Sequence, residues 1–289
     1  MAHVVTRSTV TTEELEVLLR PRTDLLRERQ VGDYEYEAAA GPFDAYRRTV
    51  TTTPLGDGRV ELTQTVDFAL AIPYFSWLFV LPFKLGLSRP GRSRPPWWAP
   101  PQVLDARAAS VLGALGLVAI VMGYLNTLFT QTIAFAAEEF GADNSAQGVA
   151  GAAVRVGGLI ALIVVAAADR RGRRAMLVLA VAAGCALAVT GSLAPTLPWL
   201  TGSQVLARGF ATALILLVAI LAAEEMPAGA RAYAVSLLAM AGGLGAGCCV
   251  LSLRLADLGT RGWRLLYVLP ALALLVVADL RRRLPESRR

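Results

Sequence analysis

The residues with the most to say about chemistry are charged and sit beside or inside long apolar runs. Asp169, Arg170, Arg171, Arg173 and Arg174 crowd a turn around Gly172. A short turn so rich in arginine between two apolar runs stays on the cytoplasmic side. Glu224 and Arg231 bracket a second turn. Two further arginines, Arg155 and Arg208, stand within apolar runs. A charge held in hydrocarbon costs roughly 2.5–3.5 kcal/mol on insertion scales, so both are functional candidates by default. Gly148, Gly151, Arg155 and Gly158 share one helical face, a cation beside a closely approachable backbone. That face suits an anionic or polar solute; the competing role is an arginine that snorkels or pairs with Glu139. Arg208 carries the same two readings. Tyr124, Asn126 and Gln131 (with Thr127 and Thr130) offer neutral hydrogen-bonding groups, either to line a cavity or to bind helices together.

No nucleophile–base pair, Walker loop or zinc spacing is present, and nothing in the sequence implies a cofactor or metal. His3 stands alone at the terminus. Cys185, Cys248 and Cys249 fall inside apolar runs and read as small buried hydrophobes. The run from Ala241 to Gly247 is glycine-rich but has no preceding strand. It therefore reads as helix packing through Gly243-x-x-x-Gly247 rather than a phosphate loop.

The elements that position these groups are membrane spans. Of 289 residues 55% are hydrophobic, with mean hydropathy +0.52, which is too apolar for an ordinary soluble domain. The net charge of +6 would suit nucleic acid, but the arginines flank apolar runs, where they set orientation instead. Six runs qualify, at roughly 110–136, 148–168, 175–194, 202–223, 232–253 and 263–280, each near the 20 residues that cross a bilayer. The basic turn at 169–174 and the C-terminal arginines place both ends of this unit in the cytoplasm. Arg254, Arg261 and Arg264 dissent on the outer side.

Before the spans, residues 1–67 read as a soluble α+β unit: a helix from Glu13 to Arg29, then strands at 33–39, 45–53 and 59–70. Leu55-Gly56-Asp57-Gly58 supplies a hairpin turn. The unit is either a small cytoplasmic appendage or similar to the closing part of a START-like lipid-binding domain. The first thirty residues lack the apolar core of a cleaved signal peptide. Residues 68–107 combine an apolar, proline-broken segment, which suits an interfacial helix, with a linker rich in Pro and Arg.

From about residue 108 the chain resembles the N-terminal half of major facilitator superfamily transporters, with landmarks similar to its sugar-porter-like branch. Asp169, Arg170, Gly172, Arg173, Arg174 and Leu177 follow the Asp-Arg-x-Gly-Arg-Arg-x-x-Leu pattern of the loop between helices two and three. Val165 replaces the glycine expected before it. Glu224-x-x-Pro227-x-x-x-Arg231, Gly262-Trp263-Arg264 and Pro285-Glu286-Ser287-Arg288-Arg289 follow in the family's order. Arg208 loosely matches a fourth-helix arginine, with Thr212 in place of a following glycine. The proline-containing antiporter motif of the fifth helix is absent.

The resemblance implies an all-α six-transmembrane-helix bundle over 108–289, preceded by the α+β unit and the interfacial helix. It implies a non-enzymatic secondary transporter working by alternating access. Asp169, Arg170, Gly172, Arg173, Arg174, Glu224 and Arg231 would gate it, and Tyr124, Asn126, Gln131, Arg155 and Arg208 would line its cavity. The expected partners are the lipid bilayer of the cytoplasmic membrane, a small solute, and a C-terminal six-helix half or a second copy, with no nucleic acid. The alternatives are a homodimeric half-carrier and a non-transporting membrane-anchored lipid-binding or regulatory protein.

Overall fold

The computed structural model describes residues 1–56, 58–89 and 95–284. Asp57 of the hairpin turn, Arg92 and Arg94 of the linker, and the Pro285–Arg289 landmark lie outside the described residues. The chain divides into two compact units. One comprises Met1–Gly113 with Glu225–Tyr233; the other comprises Ala114–Glu224 with Ala234–Arg289.

The first unit is built on an antiparallel sheet of β1 (Ala2–Thr11), β2 (Arg27–Gly32), β3 (Glu35–Ala40), β4 (Phe43–Gly56) and β5 (Arg59–Leu70), in the order β1-β5-β4-β3-β2. β1 alternates strictly between half-buried and exposed residues and pairs along its whole length with β5. The expected helix over 13–29 is much shorter. α1 (Thr12–Leu18) is opened by a capping box between Thr11 and Glu14, and Pro21 follows soon after its end. The charged stretch beyond it forms β2. Its inward residue is Glu28, whose carboxylate accepts from Arg48 Nη2 at 2.6 Å, from Arg48 Nε at 3.0 Å and from the Tyr46 hydroxyl at 2.6 Å. Arg48 also donates to the carbonyls of Leu18 and Arg20 and lies 3.8 Å from the Tyr36 ring centre. Burial and the neighbouring carboxylate push the Tyr46 phenol far above its usual range, so it remains a donor.

The apolar segment after β5 forms α2 (Ser76–Leu87). Its Phe83 and Leu87 complete a core with Leu25, Leu26, Phe43, Tyr46, Val66 and Phe68. Arg22, paired with Asp24 at 3.0 Å, donates to the carbonyls of Gly86, Leu87 and Arg89. Gln64 donates to the Leu87 carbonyl as well. Cationic and amide donors thus satisfy the open carbonyls at the end of α2. The reverse face of α2 is apolar and uncovered: Trp77 is 74%, Leu78 53%, Leu81 63% and Leu85 56% exposed.

The second unit is helical. α3 (Ala106–Phe140) enters it from the first unit, followed by α4 (Asn144–Gly157), α5 (Ile160–Arg171), α6 (Arg173–Ser192), α7 (Leu197–Glu225) and α8 (Arg231–Ser252). Among the described residues five helical stretches are long and apolar enough to cross a membrane, with α4 and α5 counted as one. α4 and α5 are joined through Gly158 and Leu159 by three-residue hydrogen bonds, Leu159 N–H to Val156 and Ala161 N–H to Gly158. A pair of glycines here tightens one turn without leaving backbone groups open.

The expected single helix over 263–280 is instead three pieces, α9 (Arg264–Val268), α10 (Ala271–Leu274) and α11 (Val277–Arg283), all packed along α6. Pro270, which has no N–H, stands between the first two. Two of the three dissenting arginines, Arg261 and Arg264, find a local partner. Glu139, at the end of α3, accepts from Arg264 at 2.9 and 3.1 Å and from the Trp263 indole at 2.8 Å, with Arg261 at 3.4 Å. Arg264 further caps the end of α6 through the Ser192 carbonyl and reaches that of Ala194. These two charges share the Glu139 carboxylate; Arg254 is not part of this cluster.

Small residues set the helix spacing. A side chain on Gly123 would strike the Gly242 carbonyl, and one on Gly245 the Ile120 carbonyl, so α3 and α8 meet backbone to backbone there. The close approach therefore uses Gly242 and Gly245. Gly243 and Gly247, expected from their spacing to make it, face open space, and so do Gly148 and Gly151 of α4. Cys185 and Cys249 are buried as expected, whereas Cys248 is exposed.

Candidate functional site

Two groups of the expected residues occupy distinct places in the helical unit. The first is the turn at 169–174. Gly172 ends α5 and begins α6 at φ +96°, a conformation that side chains rarely adopt, which is why glycine stands there. The turn sets Arg173 against two acids: Asp169 at 3.5 Å across one helical step, and Glu224 at the end of α7 in a close ion pair. Arg174 reaches over to the Leu284 carbonyl at 3.4 Å. The pattern expected in the sequence thus joins α5, α6, α7 and the end of α11. Arg231 is not part of this cluster; its guanidinium donates to the Met226 carbonyl within its own turn. Arg170 lies on the exposed last turn of α5.

The second group lies deeper. Arg155 is the eleventh residue after the start of α4, and Arg208 the eleventh after the start of α7, so each lies about 16 Å in from the same end of the bundle. Between them the helices cross at very short range. A Cβ on Gly157 would strike the Val205 carbonyl, and one on Gly209 would meet Ile160 and the Gly157 carbonyl. Arg208 donates to the Asn126 carbonyl of α3 in a short hydrogen bond. Among the described residues no acid pairs with either arginine, and the two cations repel each other. Glu139, the partner proposed for Arg155 on sequence grounds, is committed to Arg264 and Trp263 instead.

The other expected cavity groups are mostly occupied in joining helices. The Tyr124 hydroxyl donates to the Leu266 carbonyl at 2.9 Å and lies 3.3 Å from the Ser252 hydroxyl. The Asn126 amide donates to the carbonyls of Met122 and Ala211. Thr127 bonds back to Gly123 within α3. Gln131 is partly buried. Thr132, not singled out in the sequence, is fully buried against the Tyr267 hydroxyl at 2.8 Å. A crevice of about 860 Å³ opens between the starts of α4 and α7, lined by Asp143, Val149, Ala153, Pro195, Thr201 and Gly202 among others. Below Ala153 on α4 and Gly202 on α7, Arg155 and Arg208 come next among the charged residues.

The profile of the Major Facilitator Superfamily matches residues 67–288. The chain belongs to the major facilitator superfamily. Solved structures of the superfamily share its helical arrangement. The xylose transporter XylE from E. coli, in a partially occluded inward-open conformation, superposes with a TM-score of 0.58 at 20% identity, over 63% of this chain and 49% of that one. Its inward-open form gives 0.54 at 19% identity, over 62% and 48%. A bacterial homologue of the human lysosomal transporter Spinster gives 0.54 at 20% identity, over 63% and 44%. This superfamily chain therefore spans about half the length of the structures it matches. A comparison with curated proteins returned no significant match.

Proposed function

We propose that this chain is the N-terminal half of a secondary transporter that moves small solutes across the cytoplasmic membrane by alternating access. The observation that carries the reading is the Asp169–Arg173–Glu224 cluster, set at the ends of three membrane helices in a chain of this superfamily. Ion pairs at helix ends can break and reform as two bundles rock. The basic turn and the ends of the chain face the cytoplasm. A second six-helix bundle continuing the same chain covers the uncovered sides of α4–α5 and α8, whose Gly148, Gly151, Gly243 and Gly247 leave room for close approach. Solute passes between the bundles, past Tyr124, Asn126, Gln131, Arg155 and Arg208.

The latch has a direct test. In liposomes carrying the complete protein, Asp169→Asn is expected to lower solute flux at least tenfold while leaving the amount of folded protein unchanged. Unaltered flux would remove Asp169 from the mechanism.

The sheet unit, residues 1–67, rests on the membrane through α2. Gly113, seven residues into α3, packs on Pro73, just before α2, so the helix lies where the chain enters the bilayer. Trp77, Leu78, Leu81 and Leu85 then enter the interface, where aromatic and aliphatic side chains are favoured. Leu81→Glu is expected to raise the accessibility of α2 to a water-soluble labelling reagent several-fold in membranes. Equal labelling of both proteins would place α2 away from lipid.

A further inference from the structure

Arg155 and Arg208 present an unbalanced account of charge. Each lies about 16 Å from the same end of the bundle, on adjacent helices that touch backbone to backbone at Gly157, Val205 and Gly209. Among the described residues, neither meets a carboxylate. Among the described residues Arg208 makes a single hydrogen bond, to the Asn126 carbonyl, and Arg155 makes none. Two guanidiniums offer ten N–H donors between them, in planar forks that match an oxyanion. The crevice between the starts of α4 and α7 is lined as far as Ala153 and Gly202, and the two arginines stand further along the same two helices. Arg208 is half-buried, whereas Arg155 is exposed on the uncovered side of α4, and an anion received between them offsets the repulsion of two like charges.

We infer that Arg155 and Arg208 together bind the carboxylate or phosphate group of a solute, so that the transported species is an anion and not a neutral sugar. This rests on the reading of the α4–α7 crevice as part of the solute path. Thr212, whose hydroxyl oxygen would lie 3.7 Å from a side chain added at Gly158, stands near the same crossing and offers one neutral donor. The oxyanion is that of a soluble solute; an anionic lipid headgroup would offer the same chemistry, and the test separates the two.

The test is equilibrium binding to the complete protein in nanodiscs of phosphatidylcholine. The thermal midpoint is followed in sodium phosphate and in sodium benzoate, against sodium chloride at equal ionic strength. The expected result is a saturable rise with one of the two oxyanions. That rise should weaken at least tenfold in Arg155→Gln and in Arg208→Gln, and less in Arg155→Lys. Any variant that fails to match the wild-type midpoint in chloride is set aside, and the wild-type comparison alone then decides.

Three results would each overturn the inference. One is a midpoint that responds to phosphate and benzoate no more than to chloride, as expected if a carboxylate of the second bundle already balances the arginines. Another is binding that survives in a well-folded Arg155→Gln protein. The third is stabilisation that requires phosphatidylglycerol and not the soluble probes. Flux is measured separately. Solute flux without oxyanion binding removes this proposal and leaves the transporter reading standing; oxyanion binding without flux of any solute does the reverse.

Discussion

An Arg48→Ala protein is expected to lose about 3–5 kcal/mol from the sheet unit, because the change leaves the Glu28 carboxylate buried without its partner. Arg48 is 1% exposed and Glu28 is fully buried in its side chain, so water cannot replace the lost charge. The guanidinium also holds the carbonyls of Leu18 and Arg20, and these lose their donors at the same time. Amide exchange in β4 and β5 reports this within the intact protein. The loss corresponds to an increase of about two to three and a half orders of magnitude in exchange through opening of the unit. The double replacement Glu28→Leu with Arg48→Met should restore most of the protection, since a well-packed apolar pair can match a buried ion pair. Exchange unaffected by Arg48→Ala would mean that the pair contributes nothing to the sheet.

The second large effect is expected at Gly245. Valine there would drive its side chain into the Ile120 carbonyl, and a backbone cannot move aside as a flexible side chain does. α3 and α8 must separate, at a cost of about 1–3 kcal/mol or more. Gly243→Val, two residues away on the open flank, is expected to cost the helical unit far less. The comparison is made as thermal midpoints of the purified variants. A larger loss for Gly243→Val would reverse the assignment of the two faces.

These two sites also show where the sequence was readable and where it was not. Among the described residues, five of the six apolar runs correspond to helices long and apolar enough to cross a membrane, whereas the sixth, with Pro270 inside it, is broken. The order of short motifs led to the superfamily, and the Asp169–Arg173 turn was legible because its charges act locally. β2 was unreadable for a physical reason: its inward residue is Glu28, and a buried charge satisfied by Arg48 from another strand breaks the alternation that marks a strand. β1 escaped notice because its inward positions include Thr6 and Ser8 among valines. The glycine contacts of α8 were misplaced because spacing names a face but not its neighbour. Gly242 and Gly245 make the contact while the better motif, Gly243-x-x-x-Gly247, looks outward. The Glu139–Arg264 pairing joins residues 125 positions apart and has no local signature.

The position of the sheet in the chain bears on how the protein reaches its place in the membrane. All five strands lie between Ala2 and Leu70, and the first spanning helix begins at Ala106. At a synthesis rate of about 5–20 residues per second, the intervening stretch gives the ribosome roughly 2–7 s before α3 starts to be made. A hairpin closes in about 1–10 μs. The sheet, including the long-range closure of β1 on β5, thus has time to form before α3 is made. A folded sheet resists being threaded across a bilayer, so in the orientation proposed above the timing of its formation keeps the sheet on the side of synthesis.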